Sequence, residues 1–167
     1  HRCMVAEVMG RHVGWIALPS GMAAGAHAVL IPEQRTSMDE VCRWVTEVHD
    51  RGRSPLVVVA EGFIPEGFDD VTAVHGTEAD GRPRLGGIGE YITQQIEERT
   101  GIETRNTILG HIQRGGAPTG YDRVLATRFG MSVVDLIQQK KWGYMVALRG
   151  TDMVPVSFDE ALTGLKT

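Results

Sequence analysis

The residues with the clearest chemical potential surround the end of one predicted strand. Residues 103–108 alternate polar and β-branched apolar side chains, which predicts a strand, and Gly110 ends it. Arg105 lies in this strand, and His111 and Arg114 follow at its carboxyl end. Ligands of open α/β sheets bind at the carboxyl ends of strands, and guanidinium and imidazole groups bind anions. These residues predict an anion site, most simply for a phosphate, with a polar loop closed by a glycine turn as the alternative.

Two further strand ends carry residues that suit the same site. Met9, Gly10 and Arg11 follow one apolar strand, and Glu61 follows another. A parallel sheet brings these ends to one edge, where guanidinium groups hold a phosphate and a carboxylate accepts hydrogen bonds from sugar hydroxyls. Gly10 allows the backbone to approach a ligand at a helix N-terminus. The combination predicts a site for a phosphorylated polyol, although Glu61 taken alone also fits a salt-bridged carboxylate at a strand end.

Composition restricts the possible class of protein. The 167 residues, 42% of them hydrophobic, suffice for one domain with a real core. The net charge of −4 argues against a nucleic-acid surface, and no apolar run is long enough for a transmembrane helix. Cys3 and Cys42 are the two cysteines, without zinc-type spacing, so we expect buried free thiols, no metal ligands and a cytoplasmic location. The chain begins at His1 with a predicted strand already under way, which predicts a partial sequence.

Strands and helices alternate along the chain. The predicted strands cover residues 3–8, 28–31, 55–60, 103–108, 145–148 and 153–156. The predicted helices cover 11–22, 38–50 after a cap at Ser37, 85–100, 121–139, and a short turn after a cap at Ser157. Pro19 should kink or divide the first helix, and 62–83 is predicted to be a long loop. This order predicts an α/β fold with an open, mainly parallel sheet and helices on both faces.

Two motifs resemble those of one family. Thr107–Pro118 resembles the signature of 6-phosphofructokinases, and Glu7–His12 resembles a second motif of that family, in the same order along the chain. The resemblance covers essentially the whole chain but only the second half of the family's chain. It implies an incomplete phosphofructokinase-like second domain. Residues 1–110 would form a sugar-phosphate-binding α/β domain, 111–143 a crossover loop and helix of the absent nucleotide-binding domain, and 144–167 return strands and a helix.

The resemblance also implies roles for individual residues. The expected fructose 6-phosphate site comprises Met9, Gly10, Arg11, Glu61, His111 and Arg114, and Arg11 resembles an arginine that also faces the transferring phosphoryl group. Arg2 and Arg105 match residues that reach into a neighbouring subunit's site, which implies a homo-oligomer, a dimer or tetramer, with shared sites. Arg51 and Arg53 resemble a basic pair that binds an effector phosphate, or they are ordinary helix-end cations. His27 stands where regulated members carry glutamate, which weakens the case for effector control.

The implied activity is phosphoryl transfer to the 1-hydroxyl of fructose 6-phosphate, giving fructose 1,6-bisphosphate in glycolysis. The family's glycine-rich loop, Gly-Gly-Asp and Thr-Ile-Asp motifs do not occur here, so Mg²⁺, the donor (ATP or pyrophosphate) and the catalytic base would belong mainly to the absent half. The chain alone should therefore be inactive. A pyrophosphate-dependent member of the family and a non-enzymatic sugar-phosphate-binding module are the alternatives.

One helix is predicted to lack a partner. Residues 121–139 carry too many apolar side chains for one narrow stripe, so we expect part of this surface, around Val124, Leu125 and Phe129, to be exposed.

Overall fold

The computed structural model describes residues 1–69 and 87–164, and the chain forms two compact units, His1–Gly115 and Gly116–Thr167. The finer division predicted from the resemblance, with boundaries at residues 110 and 143, stays a prediction. Most of the long loop predicted over 62–83 lies outside the described residues, as does the predicted helix start at Leu85.

The first unit is built on a four-stranded parallel sheet. Its strands are β1 (Cys3–Val8), β2 (Ala28–Leu30), β3 (Leu56–Ala60) and β4 (Thr104–Ile108), in the spatial order β2-β3-β1-β4. β1 pairs with both neighbours, so that Val8 lies beside Ala60 and Glu7 beside Ile108. The four predicted strands and the parallel α/β architecture are confirmed.

Burial distinguishes the interior strand β3 from the edge strand β4. The run at β3 packs on both faces, with Val57, Val58, Val59 and Ala60 all buried, as expected for an interior parallel strand. β4 is an edge strand, and after the buried Thr104 its residues are exposed or half-buried. The polar alternation seen in the sequence therefore corresponds to an edge position.

Three helices pack on this sheet: α1 (Ala17–Ala23), α2 (Met38–Asp50) and α3 (Ile88–Thr100). The Ser37 side chain accepts a hydrogen bond from the Glu40 backbone N–H and caps α2, as predicted. Two features predicted for the first helix were wrong: its start near residue 11 and a kink or division at Pro19. The helix begins at Ala17, so Pro19 falls in the first turn, where backbone N–H groups have no partner within the helix and proline is tolerated.

The core of the first unit lies between the sheet, α2 and α3. Its largest fully buried side chains include Phe63, Leu30, Ile92 and Ile96. Cys3 and Cys42 are free and buried, as expected, and burial raises the pKa of the Cys3 thiol to about 12. This packing fixes the strands that carry the candidate site.

The second unit contains α4 (Gly120–Gln138), an antiparallel hairpin of β5 (Tyr144–Arg149) and β6 (Asp152–Ser157), and the short α5 (Phe158–Ala161). Thr119 and Asp122 form a capping box at the start of α4. Apolar side chains of α4 are exposed, with Val124 62% and Val134 51% accessible, whereas Leu125 and Phe129 are half-buried. The expected exposed apolar surface is therefore present. In the part of the chain that the structure describes, no helix combines the length and apolar character needed to cross a membrane.

Candidate functional site

An open pocket of about 500 Å³ lies in the first unit at the carboxyl edge of the sheet. Its lining includes all six residues that the sequence singled out for a sugar-phosphate site, together with Ile16. The lining residues are Met9, Gly10, Arg11, Ile16, Glu61, His111 and Arg114.

The parallel register explains why three distant segments meet there. β1 lies between β3 and β4, and the strands end at the same level, because Val8 pairs with Ala60 and Glu7 with Ile108. The segments that follow these strands must therefore leave the sheet side by side. The sequence places Arg11, Glu61 and Arg114 on those three segments.

Backbone hydrogen bonds hold the turn after β1 against the end of β3. The Glu61 N–H donates to Val8 O at 2.9 Å, and the Gly62 N–H donates to Gly10 O at 2.9 Å. Gly10 N–H also approaches a Glu61 carboxylate oxygen at 3.4 Å. Gly10 has φ +152°, and a Cβ there would lie 2.8 Å from Val13 O, so the turn requires glycine.

Gly62 shapes the site without lining the pocket, and sequence reasoning missed this role. A Cβ on Gly62 would lie 1.9 Å from the Arg11 carbonyl oxygen, closer than any real contact between these atoms. Glycine at this position therefore lets the β3 end approach the backbone of Arg11. The signal in the sequence was a glycine directly after Glu61, which reads as an ordinary loop residue until the partner backbone is known.

A short 3-10 helix, Gly110–Arg114, carries the second basic group. Gly110 has φ +48°, which turns the chain away from β4, and the Ile112 N–H donates to Leu109 O at 3.2 Å. His111 and Arg114 are exposed at the pocket, whereas Gln113 is half-buried and accepts the Met9 N–H at 2.8 Å. Gln113 is the second contact that sequence reasoning missed, because its partner lies 104 residues away.

The charges of the pocket suit an anionic polyol. Arg11 and Arg114 present two exposed guanidinium groups, His111 adds an imidazole ring, and Glu61 is the single carboxylate among the described residues that line the pocket. Guanidinium groups bind phosphate oxygens bidentately, and a lone carboxylate accepts from hydroxyls. Across residues 1–69 and 87–164, no group of three His, Cys, Asp or Glu side chains could hold a metal ion. The pocket residues therefore do not fit Mg²⁺, which prefers several oxygen ligands.

A buried carboxylate lies in β1, close to the pocket in sequence. Glu7 is 2% exposed and accepts hydrogen bonds from the Gly89 N–H at 2.8 Å and the Gly87 N–H at 3.1 Å. Burial raises the pKa of Glu7, the two backbone hydrogen bonds oppose this rise, and the charge of Glu61 adds to it. Glu7 thereby ties the N-terminus of α3 to the strand that carries the Met9 turn.

Arg2 and Arg105 lie near the amino-terminal ends of the strands, at the end of the sheet opposite the pocket. Each is next to the start of its strand, where Cys3 pairs with Thr104. Both guanidinium groups contact one carboxylate, with Arg2 Nε 2.9 Å and Arg105 Nη2 2.6 Å from oxygens of Glu103. Neither arginine lines the pocket of its own chain. Hydrogen bonding from Arg2 lowers the pKa of Glu103, and the charge of Arg105 acts in the same direction.

The two arginines suggested for an effector, Arg51 and Arg53, are exposed beyond the end of α2. His27 precedes β2, and its Nδ1 accepts the Leu56 N–H at 3.1 Å. Nδ1 therefore joins the starts of β2 and β3, whereas Nε2 is buried without a hydrogen-bond partner among the described residues. An effector role for Arg51 and Arg53 stays a prediction.

The fold and the pocket define the chain as a parallel α/β protein with a cationic site at the carboxyl edge of its sheet. The family model "Phosphofructokinase" matches residues 1–137. The pyrophosphate–fructose 6-phosphate 1-phosphotransferase of Amycolatopsis mediterranei is 51% identical over 100% of this chain and 49% of its own length. An ATP-dependent 6-phosphofructokinase 3 of Streptomyces coelicolor is 49% identical over 99% of this chain and 49% of its own.

A solved structure agrees with these relatives. Pichia pastoris phosphofructokinase in the T-state superposes with a TM-score of 0.77 and 31% identity, covering 96% of this chain and 17% of that one. The chain belongs to the phosphofructokinase family. It spans about half the length of the curated relatives that it matches.

Proposed function

We propose that this chain supplies the fructose 6-phosphate site of a 6-phosphofructokinase, a cytoplasmic enzyme of glycolysis. The reaction would transfer a phosphoryl group to the 1-hydroxyl of fructose 6-phosphate and give fructose 1,6-bisphosphate. The observation that carries the proposal is the convergence of Arg11, Glu61, His111 and Arg114 on one pocket from three separate strand ends. The relatives' names, which include both pyrophosphate- and ATP-dependent enzymes, support the same acceptor.

The pocket residues divide the binding work. On the 3-10 helix, the Arg114 guanidinium offers a positive charge to a phosphate and the His111 ring offers a hydrogen-bond donor. Glu61 accepts from sugar hydroxyls with a carboxylate that the Gly10 N–H orients. Arg11 lies on the turn after β1, where its guanidinium stabilises the negative charge that develops on the transferring phosphoryl group. Positioning and charge stabilisation account for most of catalysis in phosphoryl transfer.

The donor and Mg²⁺ would be bound by a part of the enzyme that this chain does not supply. Pyrophosphate is the second candidate donor beside ATP, because relatives that use each are similarly identical to this chain, at 51% and 49%. An enzyme that combines this chain with a donor-binding half should be assayed with both donors. Turnover with neither donor, together with tight sugar-phosphate binding, would instead indicate a non-enzymatic binding module.

Arg2 and Arg105 complete the proposal as residues that act in a neighbouring subunit. Their position at the edge opposite the pocket supports a role outside their own chain's site. The Glu103 carboxylate that contacts both would keep the two guanidinium groups together. The proposed assembly is a homo-oligomer in which each fructose 6-phosphate site takes residues from two subunits.

Binding to the purified chain tests the proposal directly. Isothermal titration should detect fructose 6-phosphate, and fructose without its phosphate should bind much more weakly. Arg114→Ala should weaken the sugar phosphate by roughly ten- to a hundredfold, since a hydrogen bond to a charged group contributes about 1.5–3 kcal/mol. Arg43→Ala is the matched control, because Arg43 is an exposed arginine on α2 that pairs with Glu47 and lies outside the pocket. Equal affinities for fructose and fructose 6-phosphate would contradict the proposal.

A further inference from the structure

We propose that Gln113 is a positioning residue that couples the two basic segments of the pocket. Its side-chain carbonyl holds the backbone of Met9, and this contact sets the position of the turn bearing Arg11 relative to the 3-10 helix bearing Arg114. The inference rests on the proposed function, because it assigns a role within the same fructose 6-phosphate site.

The hydrogen-bond ladder between β1 and β4 shows why this contact forms. At the start of the strands the Cys3 N–H donates to Glu103 O at 2.9 Å, and at their end the Leu109 N–H donates to Glu7 O at 3.0 Å. The same register would direct the Met9 N–H to Leu109 O, the next acceptor along the ladder. Leu109 O instead accepts from Ile112 N–H at 3.2 Å, inside the 3-10 helix.

The side chain of Gln113 replaces the missing acceptor. Its Oε1 accepts the Met9 N–H at 2.8 Å, a normal length for a strong amide hydrogen bond. The ladder is thus continued by one bond after the backbone of β4 has turned away at Gly110. Both strands remain joined at the point where the pocket begins.

The 3-10 helix carries the residues that line the pocket on one side and the residue that contacts Met9 on another. With three residues per turn, residues 111 and 114 lie on the same side of such a helix, and residue 113 lies on another. The burial pattern agrees, because His111, Ile112 and Arg114 are exposed while Gln113 is half-buried. One side therefore presents His111 and Arg114 to the pocket, and the other contacts the end of β1.

Hydrogen bonds to the segments after β3 and after β4 consequently hold the turn that contains Met9. On the β3 side the Gly62 N–H donates to Gly10 O, and on the β4 side Gln113 accepts from Met9. Loss of the Gln113 oxygen would leave the Met9 N–H without this acceptor and release the 3-10 helix from the turn. Arg11 and Arg114 would then bind the same ligand with less preorganisation, which weakens affinity.

Gln113→Met tests this role in the purified chain. Methionine has a similar length and no amide oxygen, whereas Gln113→Glu keeps an acceptor at the same distance. Gln94→Met is the matched control, because Gln94 is an exposed glutamine on α3 whose amide contacts Glu98. Three quantities are measured for each variant: hydrogen exchange of the Met9 amide, affinity for fructose 6-phosphate, and the melting temperature.

Gln113→Met should accelerate exchange of the Met9 amide and weaken fructose 6-phosphate by roughly three- to tenfold, the effect of losing one hydrogen bond. Gln113→Glu should keep the Met9 amide slow, and Gln94→Met should change neither quantity. In an active enzyme that contains this chain, Gln113→Met should raise KM for fructose 6-phosphate and leave KM for the donor unchanged.

Each failure has a separate meaning. Unchanged Met9 exchange in Gln113→Met, or faster exchange with unchanged affinity, overturns the positioning role while the proposed function stands. A lower melting temperature without a change in affinity also overturns it, because a purely structural residue would give that result. Failure of fructose 6-phosphate to bind both the wild-type chain and an assembled enzyme that contains it overturns the proposed function, and the positioning role falls with it.

Discussion

Substitution of Gly62 by alanine should displace the turn that carries Arg11. The added Cβ would lie 1.9 Å from the Arg11 carbonyl oxygen and within 3 Å of the Arg11 Cα. Both are backbone atoms, so a rotamer change cannot relieve the contact. The Cβ and the oxygen must separate by roughly 1.4 Å to reach a normal carbon–oxygen distance of about 3.3 Å.

The size of the effect follows from two contributions. Overpacking of this kind typically costs about 1–3 kcal/mol. The shift also stretches the Gly62 N–H···Gly10 O hydrogen bond of 2.9 Å, and a lost hydrogen bond contributes about 0.5–1.5 kcal/mol. The expected loss of roughly 2–4 kcal/mol should lower the melting temperature by about 10 °C for a domain of this size. A misplacement near 1 Å can also reduce turnover by about a hundredfold.

Gly52→Ala separates the displacement of the site from general destabilisation. Gly52 has φ +72° and no heavy atom within 4 Å of the position that a Cβ would occupy, so alanine there introduces backbone strain without a steric contact. That strain costs about 1–2 kcal/mol. Gly52→Ala should therefore lower the melting temperature and leave fructose 6-phosphate affinity unchanged, whereas Gly62→Ala should lower both. Wild-type affinity and wild-type stability in Gly62→Ala would refute the argument.

Three further predictions concern other parts of the molecule. If sites are shared between subunits, mixing Arg105→Ala and Arg114→Ala enzymes should restore wild-type affinity for fructose 6-phosphate in about a quarter of the sites of randomly reassembled oligomers. No recovery after verified subunit exchange would contradict shared sites. Because the pKa of Glu7 is raised by burial, the native state binds this proton more tightly than the unfolded chain, and its contribution to stability is lost as the pH rises through the raised pKa. The Glu7→Gln variant should therefore lose less free energy of unfolding than the wild-type chain as the pH rises from acidic to neutral. Identical pH profiles of the two proteins would count against this prediction. Val134→Lys, on the exposed apolar surface of α4, should reduce concentration-dependent association of the purified chain in analytical ultracentrifugation, and an unchanged profile would show that this surface does not drive association.

The strands could be predicted because their local pattern and their burial agree. The apolar run at β3 is buried on both faces, and the polar alternation at β4 reflects an edge strand. The start of α1 could not be predicted in the same way. Apolar residues at helical spacing continue back to Val13, but the Gly14 N–H is held by the Glu33 carboxylate at 2.9 Å, and this long-range contact shapes the segment before Ala17.

The pocket was predictable to the extent that its residues carry charge at the ends of strands. Arg11, Glu61 and Arg114 have side chains whose chemistry is readable from type and position alone. Gly62 and Gln113 have ordinary residue types, and their importance arises from contacts with Arg11 O and Met9 N across the fold. Residues that position a site are therefore harder to recognise in one sequence than residues that bind.

Arg105 and Arg114 place basic groups at the two ends of one strand. They belong to the same segment, one in β4 near its start and one beyond its end. Strand residues advance by about 3.3 Å each, so the length of β4 beyond Arg105 alone separates their backbones by roughly 10 Å or more. Arg114 lines the pocket, whereas Arg105 does not and instead contacts Glu103 at 2.6 Å. The segment that places Arg114 in the pocket therefore carries Arg105 near the opposite end of β4, where Glu103 contacts both Arg105 and Arg2. A role of these two arginines in a neighbouring subunit's site stays a prediction.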